Sequence, residues 1–240
     1  MEDLLQALRE NRVIPYFQPI FDLRRRTVDQ HEALVRLIQK NGLVLTPMAF
    51  LSQAKEEGLH SEITKCVLEK SLAVFEGTKD KFSINLSPDD LNNKETLRYI
   101  KNLLPKYQAH DQVIFEVVES DNEENFDAAK AFILDFTNEG YQVSIDDFGS
   151  GYLTLNHLEN LPISYLKVDG YLIKSIFEED AEQEVKSILE FCKERDIKAV
   201  AERIENEEIH KACQALGFNF FQGYYLGKPS PQPTDPDTFF

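Results

Sequence analysis

Apolar residues along this 240-residue chain switch back and forth between short runs of β character and longer stretches of helical period, and few folds accommodate that alternation. The β-like runs cover 13–20, 28–37, 82–86, 113–118, 142–146, 165–168, 199–202 and 218–221. Helical stretches fall at 47–57, 63–75, 88–103, 125–138, 152–158, 181–194 and 206–216, and several are punctuated as helices should be. Ser87 before Pro88 reads as an N-cap followed by proline in the first turn, Gly140 and Gly217 stand at helix stops, and Pro105 closes the helix before it. Eight strands alternating with helices at this length fit an α/β architecture, a modified (β/α)8 TIM-type barrel, better than an open doubly wound sheet. Only a short polar segment with Arg24, Arg25 and Arg26 joins the first two runs, so they should pair as a hairpin and give the barrel one antiparallel strand. The expected organisation is an N-terminal helix within 1–12, a barrel over 13–228 and a proline-rich tail over 229–240.

Composition narrows the function. With 42% hydrophobic residues the chain can bury one substantial core, and its net charge of −16 argues against an extended nucleic-acid surface, which needs clustered Lys and Arg. A phosphate ligand beside so many carboxylates would require cations between them. No stretch reaches the roughly 20 apolar residues of a membrane span and no signal-peptide pattern opens the chain, so a cytoplasmic protein without direct membrane contact is expected. The cysteines, Cys66, Cys192 and Cys213, show neither disulfide nor metal spacing; Cys192 and Cys213 share helical faces with apolar neighbours.

In a parallel barrel the reacting groups gather where strands end. Here the strand-end residues are Glu32, Asn85, Glu116, Asp146 with Asp147, Lys167, Glu202 and Gln222. Carboxylates beside buried apolar residues are costly unless neutralised. Hard oxygen donors from Glu, Asp and Asn suit Mg²⁺ or Mn²⁺ rather than zinc. Period 2 places Glu32, Leu34 and Arg36 on one face, joining a carboxylate to a guanidinium suited to phosphate, with His31 pointing the other way. Adjacent Asp146 and Asp147 cannot both face inward from a regular strand, so the chain must turn there, helped by Gly149 and Gly151; Asp146 could then bridge two ions and Asp147 bind one. Lys167 and Asp169 form a further same-face pair. Singly, each feature has an ordinary explanation: a salt bridge for Glu32 and Arg36, a turn for the paired aspartates, a capped helix start for Glu202 and Glu205. Their joint placement at successive strand ends is what points to a site. The five histidines show no metal-ligand spacing.

Eight ordered segments carry a resemblance over essentially the whole chain. They are Phe17-Gln18-Pro19-Ile20, Glu32-Ala33-Leu34 with Arg36, Asn85-Leu86-Ser87, Glu116-Val117-Val118-Glu119, Asp146-Asp147-Phe148-Gly149-Ser150-Gly151, Lys167-Val168-Asp169, Glu202-Arg203-Ile204-Glu205 and Gln222-Gly223-Tyr224. The chain resembles the EAL-domain cyclic-di-GMP phosphodiesterases. That resemblance implies hydrolysis of cyclic-di-GMP to linear pGpG with two divalent cations, Mg²⁺ or Mn²⁺, commonly by a homodimer. By the same route Glu32, Asn85, Glu116 and Asp146 would hold one metal, and Asp146, Asp147 and Glu202 the second. Lys167 would orient the attacking water, Glu119 anchor the loop that begins at Asp147, and Glu205 support the site, while Gln18, Leu34, Arg36 and Gln222 would meet the ligand or its surroundings. The chain departs from the family pattern at Val118 (commonly Thr), Ser164 (usually Asp), Gly170-Tyr171 (an Arg-Ser pair) and Arg203 (commonly Gly), and none of these removes a ligand. Two other readings stay open: a catalytically silent cyclic-di-GMP receptor that signals to a partner, and a metal-dependent hydrolase of another phosphodiester on the same barrel.

Overall fold

The computed structural model describes residues 3–118, 123–151 and 153–234. Its centre is a closed eight-stranded barrel formed by β1 (Val13–Asp22), β2 (Thr27–Ile38), β4 (Phe82–Leu86), β5 (Val113–Val118), β6 (Gln142–Phe148), β7 (Tyr165–Val168), β8 (Lys198–Ala201) and β9 (Phe220–Phe221). A two-residue strand that the sequence pattern did not reveal, β3 (Val44–Leu45), pairs with the end of β2. The β1–β2 hairpin runs antiparallel, β1 meets β9 antiparallel, and the remaining barrel pairs are parallel, so β1 is the single reversed strand. Its turn is made by Asp22, whose carboxylate accepts from the Arg24 and Arg25 amides. Pro15 and Pro19 share the outward parity of Phe17, the edge where a missing N–H costs no β1–β2 ladder bond.

The flanking helices are α1 (Leu4–Arg9), α2 (Leu51–Glu56), α3 (His60–Phe75), α4 (Pro88–Asn92), α5 (Lys94–Leu103), α6 (Glu123–Asn138), α7 (Leu155–Leu158), α8 (Gly170–Lys174), α9 (Glu179–Glu194) and α10 (Glu207–Leu216). The continuous helix expected over 88–103 is two helices. Asn93 leaves helical dihedrals, and its side chain accepts from the Glu95 and Thr96 amides, so it ends α4 and starts α5. The stretch at 47–57 begins as a 3₁₀ turn, Pro47–Ala49, before α2. Of the helix expected over 152–158, Tyr152 lies outside the described residues, and α7 starts after its Thr154 cap. The tail runs back along the barrel: Ser230 exchanges backbone bonds with Phe17, and the Thr234 amide donates to His31 Nε2; residues 235–240 lie outside the described set.

Side chains separate into two cores. Between barrel and helices lies a large apolar layer in which Phe75 stacks on Phe82 at 4.8 Å and meets Phe17 edge-on at 5.2 Å. Inside the barrel, Ile20, Ile114, Tyr165 and Val200 form a small separate cluster. Below it the Tyr165 hydroxyl and Lys198 both donate to Asp29, which closes the floor. The strand period of two then dictates that the next inward residues, Glu32, Glu116, Lys167 and Glu202, lie one layer higher, at the end where the parallel strands finish.

Phe75 is 1% exposed and joins α3 to β1 and β4. Phe75→Ala should therefore cost about 3–5 kcal/mol of stability, read as a lower urea midpoint at an unchanged m-value. A loss under about 1 kcal/mol would show that this aromatic layer does not hold the barrel.

Candidate active site

Lys167 organises the upper layer. Its Nζ lies 3.2 Å from Glu32 Oε2, 3.0 Å from Glu116 Oε2, 2.7 Å from Asp146 Oδ1 and 2.9 Å from Glu202 Oε1, and the side chain is 1% exposed. The four carboxylates arrive from β2, β5, β6 and the residue just past β8. Glu32 also accepts from Asn85 Nδ2 at 2.7 Å and Gln222 Nε2 at 2.6 Å. Gln18 receives a longer bond from Gln222 and is anchored to the Gly227 carbonyl.

The turn expected at the paired aspartates lies within the strand itself. Between β6 and β7 the register runs Ile145↔Leu166 and then Phe148↔Val168, so Asp146 and Asp147 together face the single residue Lys167. Asp147 takes up this extra residue with φ of 54°, a left-handed conformation that Asp tolerates. The bulge brings both aspartates to the site: oxygens of Glu32, Glu116 and Asp146 lie within 4.8 Å of one another, and so do those of Asp146, Asp147 and Glu202. Asp146 belongs to both groups.

Burial works against these charges. It drives the Glu116 carboxyl up to about 8 against the pull of Lys167, with repulsion from Glu32 and Asp146 adding to the rise. Burial and the neighbouring Asp146 raise Asp147 to about 6, and burial with the adjacent carboxylates raises Glu202 well above the usual range. Glu32 is held below its ordinary value, because Lys167 and the Gln222 and Asn85 hydrogen bonds outweigh its burial. The ammonium of Lys167 is kept charged, since the carboxylates around it overcome its own burial.

Five carboxylates against one ammonium leave four negative charges uncompensated, which two divalent cations would balance. Hard oxygen donors in two triads sharing one member suit such ions, so the residues fit the group.

Two adjoining cavities, of about 360 and about 480 Å³, open onto this layer and share Glu32, Leu34, Asp146, Asp147 and Arg203 in their walls. Gln18, Lys167, Glu202 and Gln222 line the first; Asn85 and His60 line the second. A larger groove of about 780 Å³ at the opposite barrel end, by Arg24, Arg25 and Lys193, is remote from the carboxylates and from the strand ends that build barrel sites.

Two expected site residues lie off the cavity walls, and a third is outside the described residues. Arg36 sits over the Tyr16 ring, donates to the Val35 carbonyl and lines neither cavity. Asp169, expected beside Lys167, lies past the end of β7 and caps α8 through the Tyr171 amide, because the strand stops before it. Glu119 lies outside the described residues. Glu205 does line the first cavity, paired with Lys174 at 2.8 Å. Arg203 was noted in the sequence only as a departure, yet it lines both cavities; its positive φ of 49° is a backbone property that residue type does not signal.

Metal-free folded protein should hold protons on Glu116 and Asp147 at pH values where the unfolded chain has released them, so those groups lose stability as pH rises from about 5 to about 8. Divalent cations displace the protons. The increase in melting temperature on adding Mn²⁺ to EDTA-stripped protein should therefore grow across that interval, with protons released on binding. An increment independent of pH would contradict this charge distribution.

Comparison with known proteins places this geometry. The sequence matches the family model described as EAL domain over residues 1–229. It is 37% identical over 96% of its length to cyclic di-GMP phosphodiesterase PdeF of Escherichia coli, covering 32% of that protein, and 32% identical over 95% to cyclic di-GMP phosphodiesterase PdeB of Shewanella oneidensis, covering 28%. The chain thus spans about a third of the length of these curated relatives. Among solved structures, the PaMucR phosphodiesterase in complex with c-di-GMP aligns with a TM-score of 0.87 at 30% identity, covering 95% of this chain and 96% of that one. The FimX EAL domain of Pseudomonas aeruginosa bound to c-di-GMP aligns with the same score at 25% identity, covering 95% of each. With the family model matched along nearly the whole chain and the barrel matched by solved EAL domains, the protein belongs to the EAL domain family.

Proposed function

We propose that this chain hydrolyses one phosphodiester bond of cyclic-di-GMP to give linear pGpG, using two divalent cations, Mg²⁺ or Mn²⁺. The observation that carries the reading is the pair of carboxylate triads sharing Asp146 at the carboxyl end of the barrel. Relatives named as cyclic di-GMP phosphodiesterases support the substrate.

Glu32, Glu116 and Asp146 would hold one ion, with Asn85, whose amide donates to Glu32, as a further oxygen donor. Asp146, Asp147 and Glu202 would hold the other. Bound divalent cations supply Lewis acidity, acidifying water and offsetting charge on a phosphodiester. Lys167 keeps the facing carboxylates at fixed separations and stands as the hydrogen-bond donor nearest the layer's centre, suited to orienting the attacking water. Gln222 and Gln18 form the polar wall of the first cavity, and Leu34 a shared apolar wall beside it. The second cavity, with Leu51, Ile63, Val67 and Leu86 in its lining, suits an apolar base face. The carboxylates act by holding ions rather than by moving protons.

Cytoplasmic signalling as a homodimer completes the proposal; among the described residues no helix is long and apolar enough to cross a membrane. A silent receptor is the second reading, in which the chain binds cyclic-di-GMP, as the similar FimX EAL domain does, without cleaving it.

Incubation with cyclic-di-GMP and Mn²⁺ or Mg²⁺, followed by chromatography, should show pGpG, and EDTA should abolish it. Glu32→Ala should lower kcat at least about 100-fold, since disturbing even the supports of metal ligands costs 10- to 100-fold. Tight binding without turnover would favour the receptor, and equal cleavage of linear dinucleotides would favour a less selective hydrolase.

A further inference from the structure

The first cavity and the wall it shares with the second are rich in carboxylate, so an incoming phosphodiester meets repulsion there wherever no cation stands. Among the described residues lining them, Lys167 and Arg203 are the only lysine or arginine side chains, and the one histidine, His60, faces Asp90. Lys167 is buried and surrounded by four carboxylates. Arg203 is different: its side chain is 60% exposed, and its guanidinium is held only loosely, with Nη2 3.7 Å from Asp147 Oδ1 and 3.9 Å from Asp169 Oδ2.

The backbone is built to present this group. Arg203 follows Glu202 and adopts a left-handed φ of 49°, a conformation that a non-glycine residue keeps only where its surroundings enforce it. Its aliphatic stem lies flat against Gly170 at the start of α8. A Cβ at position 170 would come within 2.3 Å of Arg203 Cδ, 2.5 Å of Cβ and 2.6 Å of Cγ, so only glycine leaves the track open. The stem is thereby guided across the end of β7, and the guanidinium reaches the wall shared by both cavities, beside Asp147.

We propose that Arg203 is a substrate-binding residue that donates hydrogen bonds to a phosphodiester oxygen of the bound dinucleotide, and that Gly170 is the positioning residue that aims it. The inference deepens the reading of this chain as a cyclic-dinucleotide phosphodiesterase and rests on it. Aspartates 147 and 169 park the guanidinium at long range. A phosphodiester oxygen offers the shorter charge-assisted bonds that guanidinium geometry favours.

The test is steady-state kinetics on cyclic-di-GMP with saturating Mn²⁺ for the parent chain, Arg203→Gly, Arg203→Lys, Gly170→Ala and the double variant, alongside Mn²⁺ titration calorimetry and melting temperatures. Arg203→Gly should raise KM about tenfold, the loss of roughly one charge-assisted hydrogen bond, with kcat within about threefold of the parent and Mn²⁺ affinity unchanged. Its melting temperature should not fall, because glycine accepts the left-handed backbone freely. Arg203→Lys should keep part of the affinity. Gly170→Ala should raise KM by displacing the stem, and should add nothing in the Arg203→Gly background. An unchanged KM in Arg203→Gly, or tighter Mn²⁺ binding with unchanged KM, would overturn the assignment and leave Arg203 as a counter-ion to Asp147. A Gly170→Ala effect that persists without Arg203 would remove the positioning role. Absence of any turnover by the parent chain would overturn the proposed function itself, and this assignment with it.

Discussion

A single buried ammonium ties the upper barrel together. Lys167 reaches from β7 to carboxylates carried by β2, β5 and β6 and by the residue after β8, so one side chain spans strands on opposite sides of the closed sheet. Without it, four buried carboxylates would face one another across a water-poor interior, and breaking such a pair typically costs about 3–5 kcal/mol. Its presence is also insufficient. One positive charge cannot balance the five acids gathered there, and the remaining imbalance is what turns a structural ion cluster into a cation-binding one.

The rest of the architecture places that imbalance where it can be used. Inward residues come in layers two apart, and below the charges Ile20, Ile114, Tyr165 and Val200 pack together on the same inward parity as the buried Gln30, Ser83 and Ser144, while the Tyr165 hydroxyl turns to Asp29 and Lys198 at the floor. Water and ligand therefore reach the carboxylates from the end where the parallel strands finish. A regular β6 would present one aspartate to that end and hide the next. The extra residue in β6 defeats the alternation, and the cost is a left-handed Asp147.

How far this was legible in the sequence follows from which signals are local. The alternation of periods revealed the barrel, and the brevity of the segment around Arg24–Arg26 revealed the reversed strand, because a crossover needs length that the chain does not have there. Strand-end position brought Glu32, Asn85, Glu116, Asp146, Lys167, Glu202 and Gln222 to one layer, since a period of two carries over directly into facing. Period alone did not settle the surroundings of Arg36 and Asp169. Arg36 shares parity with Glu32 but lies four residues along β2, where the Tyr16 ring captures it. Asp169 shares parity with Lys167 but follows the end of β7, where helix capping competes for a carboxylate. The break at Asn93 and the two-residue β3 depend on local hydrogen bonds that periodicity does not register.

The positions where this chain departs from the common EAL pattern lie around the charged layer rather than within it. Ser164 enters β7 through its backbone, accepting from the Lys198 amide and donating to the Val143 carbonyl, so that its side chain is not what holds the strand. Val118 is 37% exposed and lines the second cavity, where it changes the wall and not the ligands. Gly170 and Arg203 interlock, because the space a side chain at 170 would need is filled by the stem of 203. Neither residue can be understood alone: glycine at 170 is what makes an arginine at 203 sterically possible, and the left-handed turn at 203 is what sends its stem over 170. A layer fixed by electrostatics leaves its rim free to vary, provided that each change on the rim is matched by the residue it touches.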